Sequence, residues 1–199
     1  MADPPAPESP HGRFNAIVVR HGETEWSAAL KHTSRTDVPL TPKGRRRAHE
    51  LAAELAGHHF ALVLCSPLRR ARETAELAGF HDPVIDPHLR EWDYGECEGL
   101  TTDEIRTRRP GWNLWRDGCP GGETPEEVGA RADRILERLL GAGGDALIFA
   151  HGHILRVLTA RWLALAPGAG ARFALAAGSL GVLGWERETE VIQRWNAGR

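Results

Sequence analysis

Lysine is nearly missing from this chain: of 25 basic residues only Lys31 and Lys43 are lysines, so arginine is the default cation and no single arginine stands out by type. A basic excess is missing too. The formal net charge is -2, with acids and bases mixed throughout, which leaves no basic face to hold a nucleic acid backbone. Cysteine is scarce. Cys65, Cys97 and Cys119 are odd in number and widely spaced, which argues against a disulfide framework and against a zinc site, and fits a reducing cytoplasm. No apolar run is long enough to cross a bilayer, so no membrane association is expected. Residues 1–12, MADPPAPESPHG, lack any apolar stretch and carry four prolines; they read as a disordered tail and not as a secretory signal. The 199 residues have no internal repeat and no linker, and residues 13–199 are expected to form a single domain. Assembly is left open, a homo-oligomer included.

What the chain does have is short apolar runs alternating with helix patterns, the mark of a layered α/β domain with a largely parallel sheet. The first strand is expected at Ala16 to Arg20. Thr41 as N-cap and Pro42 at the first helical position open a helix that closes at Gly57. A second strand, FALVLCSP, ends at Ser66, where Ser66 and Pro67 repeat the start signal for a helix reaching about Ala78. DPVIDP is a short third strand. The polar, tryptophan-rich stretch from Leu89 to Glu123 has no clear period. Thr124, Pro125 and Glu127 form a capping box for a helix whose Val128, Ala132, Ile135 and Leu139 share one face. DALIFAHGH is a buried strand followed by the helix ILRVLTARWLAL, and SLGVLGWE and EVIQRW read as closing strands in a hairpin or edge pair.

Two strands end alike, IVVR at His21–Gly22 and LIFA at His151–Gly152. In a parallel sheet both exits face one edge, and such folds hold ligands in the crevice beyond it. His-Gly is an ordinary turn dipeptide; its pairing at two strand ends is the signal. Glycine there permits a sharp turn and a close approach of ligand to backbone. Arg69, Arg70 and Arg72 fall in the first turns of a helix, where cations oppose the macrodipole at a cost of roughly 0.3–1 kcal/mol each, so a bound anion would compensate. Glu91, Asp93, Glu96 and Glu98 lie among aromatic residues and glycines. A carboxyl beside Trp92 and Tyr94 would be partly desolvated and usable as a proton donor, but spacing does not choose among the four. Histidines, arginines and an acid together suggest phosphoryl transfer. His49, His58 and His59 read as solvated. Trp112, Trp115, Trp162, Trp185 and Trp195 read as packing, and Cys65 as a small buried apolar group.

RHGETEW, DVPLTPKGRRRA, SPLRRARETA, LREWDYGECEGLT and FAHGH occur in the order found in the histidine phosphatases, and the chain resembles that family over nearly its whole length after residue 12. The resemblance implies a three-layer α/β/α sandwich with a mostly parallel central sheet, like that of the phosphoglycerate mutases. It implies that His21 is phosphorylated in the intermediate, that Arg20 and Arg70 bind the phosphoryl group, that Glu91 is the proton donor and that His151 stabilises the transition state. Arg70 is taken because the family's arginine directly precedes an alanine, here Ala71. Thr33, Ser34, Tyr94, Gly152 and His153 are the implied substrate contacts, with Trp115 and Arg116 as further candidates at the substrate mouth. WNLWRDGCPGGET and EWDYGECEGLT look most like small broad-specificity acid phosphatases and a sedoheptulose-bisphosphatase. Thr33-Ser34 replaces the Thr-Gly of relatives, which weakens the case for a backbone contact to substrate there. Ser27 replaces the asparagine of mutases.

The expected activity is therefore metal-independent and cofactor-independent hydrolysis of small phosphate monoesters. A cofactor-dependent phosphoglycerate mutase would use the same residues. The shorter chain, without the mutases' insert and tail, favours hydrolysis. A metallohydrolase built on HGH and His21 is disfavoured by adjacent Arg20, since a cation adds nothing to a ligand shell. A non-catalytic binding module is disfavoured by all five catalytic positions being filled.

Overall fold

The computed structural model describes residues 13–198; the proline-rich residues 1–12, read above as a tail, lie outside them. In chain order the elements are β1 (Ala16–Arg20), α1 (Glu25–Ala28), α2 (Pro42–Leu55), β2 (Leu62–Cys65), α3 (Arg69–Leu77), β3 (Val84–Ile85), α4 (Thr102–Arg108), α5 (Leu114–Asp117), α6 (Pro125–Leu140), β4 (Ala146–Ala150), α7 (Gly152–Trp162), β5 (Leu180–Glu186) and β6 (Thr189–Ala197). The strands form one sheet ordered β3-β2-β4-β1-β5-β6. β3, β2, β4 and β1 run parallel, and β5 runs antiparallel to both of its neighbours. The closing hairpin is β5 and β6, with β6 at the edge.

Residue parity sorts the core into layers, because successive side chains of a strand point to opposite faces. Ala16 and Val18 of β1 and Ala146, Ile148 and Ala150 of β4 pack with Val128, Ala132, Ile135 and Leu139 of α6 and with Ile154, Leu155 and Leu158 of α7. Ile17, Val19, Leu147 and Phe149 face the other way, onto Leu51 and Leu55 of α2 and Ala71 and Ala75 of α3. Two helices on each face of the sheet make the three-layer α/β/α sandwich.

Most start signals are used as the sequence writes them. Thr41 accepts a hydrogen bond from the Gly44 amide at 3.0 Å, and Thr124 and Glu127 close a reciprocal capping box at α6. α2 ends at Leu55, and Gly57 follows in the left-handed conformation. The expected start at Ser66 is corrected. α3 begins at Arg69 with no cap from its own preceding side chain, and the carboxylate of Asp37, from a distant loop, accepts the Arg69 amide at 3.0 Å instead. The Ser66 hydroxyl is held by a histidine described below. The strand DPVIDP shortens to Val84–Ile85 between its prolines, and the helix after the second His-Gly starts at Gly152 itself. His49, His58 and His59 are exposed, whereas Trp112 and Trp162 are core residues.

Candidate active site

Register brings the two strand exits together. Arg20 of β1 lies opposite Ala150 of β4, and the His21 amide donates to the Ala150 carbonyl at 2.9 Å. The next side chains are therefore neighbours: the rings of His21 and His151 lie 5.1 Å apart, centroid to centroid. Both are buried. His21 Nδ1 donates to the Gly22 carbonyl at 2.7 Å, which leaves Nε2 as the nitrogen with the lone pair. His151 Nδ1 accepts from Arg70 Nε at 3.2 Å, so its proton sits on Nε2, which donates to Ser66 Oγ at 2.7 Å. Burial, and then the positive charges of Arg70 and Arg20, hold His21 well below the usual imidazole pKa; burial and Arg70 do the same for His151. Both rings are neutral near pH 7.

The glycines after these histidines are needed for packing. A Cβ on Gly22 would lie 2.5 Å from the Gly44 carbonyl oxygen, where the strand exit crosses the start of α2, and a Cβ on Gly152 would lie 3.2 Å from Arg20 Cζ. Neither glycine is in the left-handed region among the described residues. Close approach, not turn geometry, requires them.

Three guanidinium groups surround the rings without carboxylate hydrogen-bond partners. Arg70 is fully buried and donates to the carbonyls of Thr33, Ser34 and Thr36, whereas Arg69 and Arg72 on the same helix are exposed. Arg20 donates from Nη1 to the Leu175 carbonyl at 2.6 Å, and its Nε is buried with no partner. Arg156 donates to the carbonyls of Gly170 and Ala171 and lies over the Trp115 ring at 4.4 Å. Burial lowers its pKa to about 10. Cations held by carbonyl dipoles, one with an orphaned donor, form an environment that favours an anion.

Of the four carboxylates in the aromatic segment, Glu91 reaches this place. Its Oε1 accepts the amides of Trp92 and Ile154, each at 2.9 Å, and Oε2 accepts that of His153 at 3.0 Å. The start of α7 thus fixes the position of the carboxyl. Asp93 pairs with Arg35, Glu96 is exposed, and Glu98 accepts the amides of Ser34 and Thr36.

A cavity of about 310 Å³ is lined by Arg20, His21, Thr33, Glu91, Gly152 and Arg156 among others, whereas the fully buried Arg70 and His151 do not line it. Tyr94 and His153 also line it, with Tyr94 Oη 2.5 Å from His153 Nδ1. Ser34 does not: its amide is taken by Glu98, and it faces a different cleft. Trp115 sits beneath Arg156, and Arg116 is exposed and paired with Asp117, away from the mouth. Sequence reasoning missed Arg156, His32 and Ser66. Arg156 was findable, since it lies one helical turn after Gly152 and so on the same face of α7. The buried ring of His32, stacked parallel on His153 with centroids 6.2 Å apart, sits in a segment without periodicity that gave no signal.

Comparison with known proteins identifies the family. The family model for the histidine phosphatase superfamily (branch 1) matches residues 16–198. An acid phosphatase of Mycobacterium tuberculosis is 43% identical over 85% of this chain and 86% of its own length. A sedoheptulose 1,7-bisphosphatase of Saccharomyces cerevisiae is 36% identical over 75% of this chain and 67% of its own. Among solved structures, a mycobacterial glucosyl-3-phosphoglycerate phosphatase complexed with VO3 superposes with a TM-score of 0.81 at 27% identity, covering 92% of this chain and 99% of that one. With its motifs in order and its strand-end histidines side by side, the chain belongs to the histidine phosphatase superfamily and is a phosphatase.

Proposed function

We propose that His21 is the nucleophile in the hydrolysis of small phosphate monoesters, with a phosphohistidine intermediate formed on Nε2. The observation that carries this is the neutral His21 ring, 5.1 Å from His151, in a cavity that brings Arg20, Arg156 and the Glu91 carboxyl to the same space. Arg20 and Arg70 take the equatorial phosphoryl oxygens, and Arg20 Nε has no hydrogen-bond partner within the protein. His151 supports the same charge from its place against His21. Glu91 passes a proton to the departing alkoxide, which leaves as an alcohol. A water molecule then attacks the phosphorus of phosphohistidine, gives its proton to the Glu91 carboxylate, and free phosphate departs with His21 restored. Negative charge spreads over the phosphoryl oxygens as the reaction proceeds, and fixed cations in a dry site stabilise that charge more than water does.

Hydrolysis is favoured over mutase chemistry because the most similar curated relatives named above are phosphatases. Thr33, Tyr94, Gly152 and His153 face the substrate. Residues 13–199 act as one domain, and the three buried free cysteines suit a reducing cytoplasm. His21→Ala should abolish phosphate release from 4-nitrophenyl phosphate, measured without added bisphosphoglycerate; intact turnover in that variant would refute the assignment.

A further inference from the structure

Leu30 occupies a position where the fold asks for glycine. The chain leaves α1 with the Leu30 amide donating to the Ser27 carbonyl and the Lys31 amide to that of Trp26, the pair of bonds that closes a helix through one left-handed residue. Leu30 is that residue, with φ 56°. The same pair of bonds closes α3 at Gly79, where glycine adopts the conformation freely. A leucine there is strained, and burial does not compensate it: the side chain is 80% exposed.

Its surroundings supply a reason. Leu30 is the sole aliphatic side chain among the described residues lining the 310 Å³ cavity over His21. It also lines an adjoining hollow of about 590 Å³, bordered by Ala28, Ala176 and Ala177 and sharing Arg20 and Ser27 with the first. The two spaces meet at Leu30 and at the guanidinium that faces the phosphoryl group.

We propose that the leaving group of the substrate lies across Leu30 into this second hollow, so that the site selects monoesters with an extended apolar portion over short polar ones. The inference rests on the hydrolase reading above. Three alanines and a leucine beside Arg20 form an apolar strip continuing from the phosphoryl position, in a hollow whose lining also includes Glu23, Lys43, Arg46, Arg47 and Glu50. Strain at Leu30 is the cost of presenting a hydrocarbon surface to that path.

The test compares 1-naphthyl phosphate with glycerol 3-phosphate on the wild type and on Leu30→Asn, Leu30→Met and Ala177→Glu. Asparagine tolerates the left-handed conformation, so Leu30→Asn should keep or raise the thermal midpoint. It should nevertheless raise KM for the naphthyl ester about tenfold, the low end of what one methylene-sized contact contributes in an apolar pocket. Ala177→Glu should do the same by putting charge onto that strip, Leu30→Met should retain wild-type discrimination, and in Leu30→Asn and Ala177→Glu the ratio of kcat/KM for the naphthyl ester to that for glycerol 3-phosphate should fall about tenfold. An unchanged naphthyl KM in Leu30→Asn and Ala177→Glu, or a parallel change for both substrates, would overturn the proposal and leave the hydrolase reading standing. A wild type inactive on both esters would overturn both.

Discussion

Gly152 and Arg20 show how little freedom this site leaves to a single residue. A methyl group at position 152 would meet the Arg20 guanidinium at 3.2 Å, tighter than ordinary contact, and the long side chain would yield before the helix does. Gly152→Ala is expected to lower kcat/KM by about tenfold or more, since a displacement near 1 Å in a positioning group can cost 10²-fold. Its unfolding midpoint should stay close to wild type, and a loss of stability with intact kinetics would contradict this. Arg70→Gln tests the charge. Removing a cation that holds the His21 pKa down lets it rise toward the ordinary imidazole value, so the acid limb of the kcat/KM profile should move to higher pH. The plateau should fall by about 10²–10³, as for loss of one preorganised donor. A pH–rate profile unchanged in position would contradict the coupling. At this scale the residue types were legible and some of their reasons were not. The glycine beside each histidine reads as a turn or a ligand contact in sequence, yet it is a neighbour from a distant segment, Gly44 or Arg20, that excludes a side chain there.

Among elements, α3 depends most on others. It carries Arg70 inward, and its first amide is capped by Asp37 from the loop whose carbonyls, at Thr33, Ser34 and Thr36, hold the Arg70 guanidinium. Glu98 fixes that loop from the other side through the amides of Ser34 and Thr36. Asp37→Ala should therefore cost about 1 kcal/mol in urea unfolding, the usual loss for a helix cap. It should also raise KM, because the loop and the arginine are positioned together; a stability loss with unchanged KM would contradict the link. Local rules predict the caps at Thr41 and Thr124 because the partner amides lie three residues on. They fail at Ser66, whose hydroxyl is engaged by His151, 85 residues away in sequence. The segment from Leu89 to Glu123 was opaque for the same reason: its order comes from contacts such as the Trp92 indole on the Glu123 carbonyl, which no period announces.

Over the whole molecule, the site makes stability depend on acidity. Burial, the first cause in each case, holds His21, His151 and His153 well below the ordinary pKa in the folded state. The unfolded chain takes up protons on these rings near pH 6.5 while the folded chain does not, so stability falls as pH drops below about 6.5 and goes on falling until the folded values are reached. Urea midpoints should be lower at pH 5.5 than at pH 7.5, and equal or reversed midpoints would contradict the buried neutral rings. The sheet that buries them was legible from alternating runs and helix patterns. Parity in β1 and β4 divides the two layers, and the parallel register of those strands sets His21 beside His151.

The most direct test of the account is to find where phosphate goes during turnover. The enzyme is quenched with alkali within milliseconds of mixing with a phosphate ester, digested, and sequenced by mass spectrometry. Phosphate is expected on the His21 imidazole in the wild type and none in His21→Ala. Phosphate on another residue, or turnover with no covalent phosphoenzyme under conditions where its formation outruns hydrolysis, would contradict it.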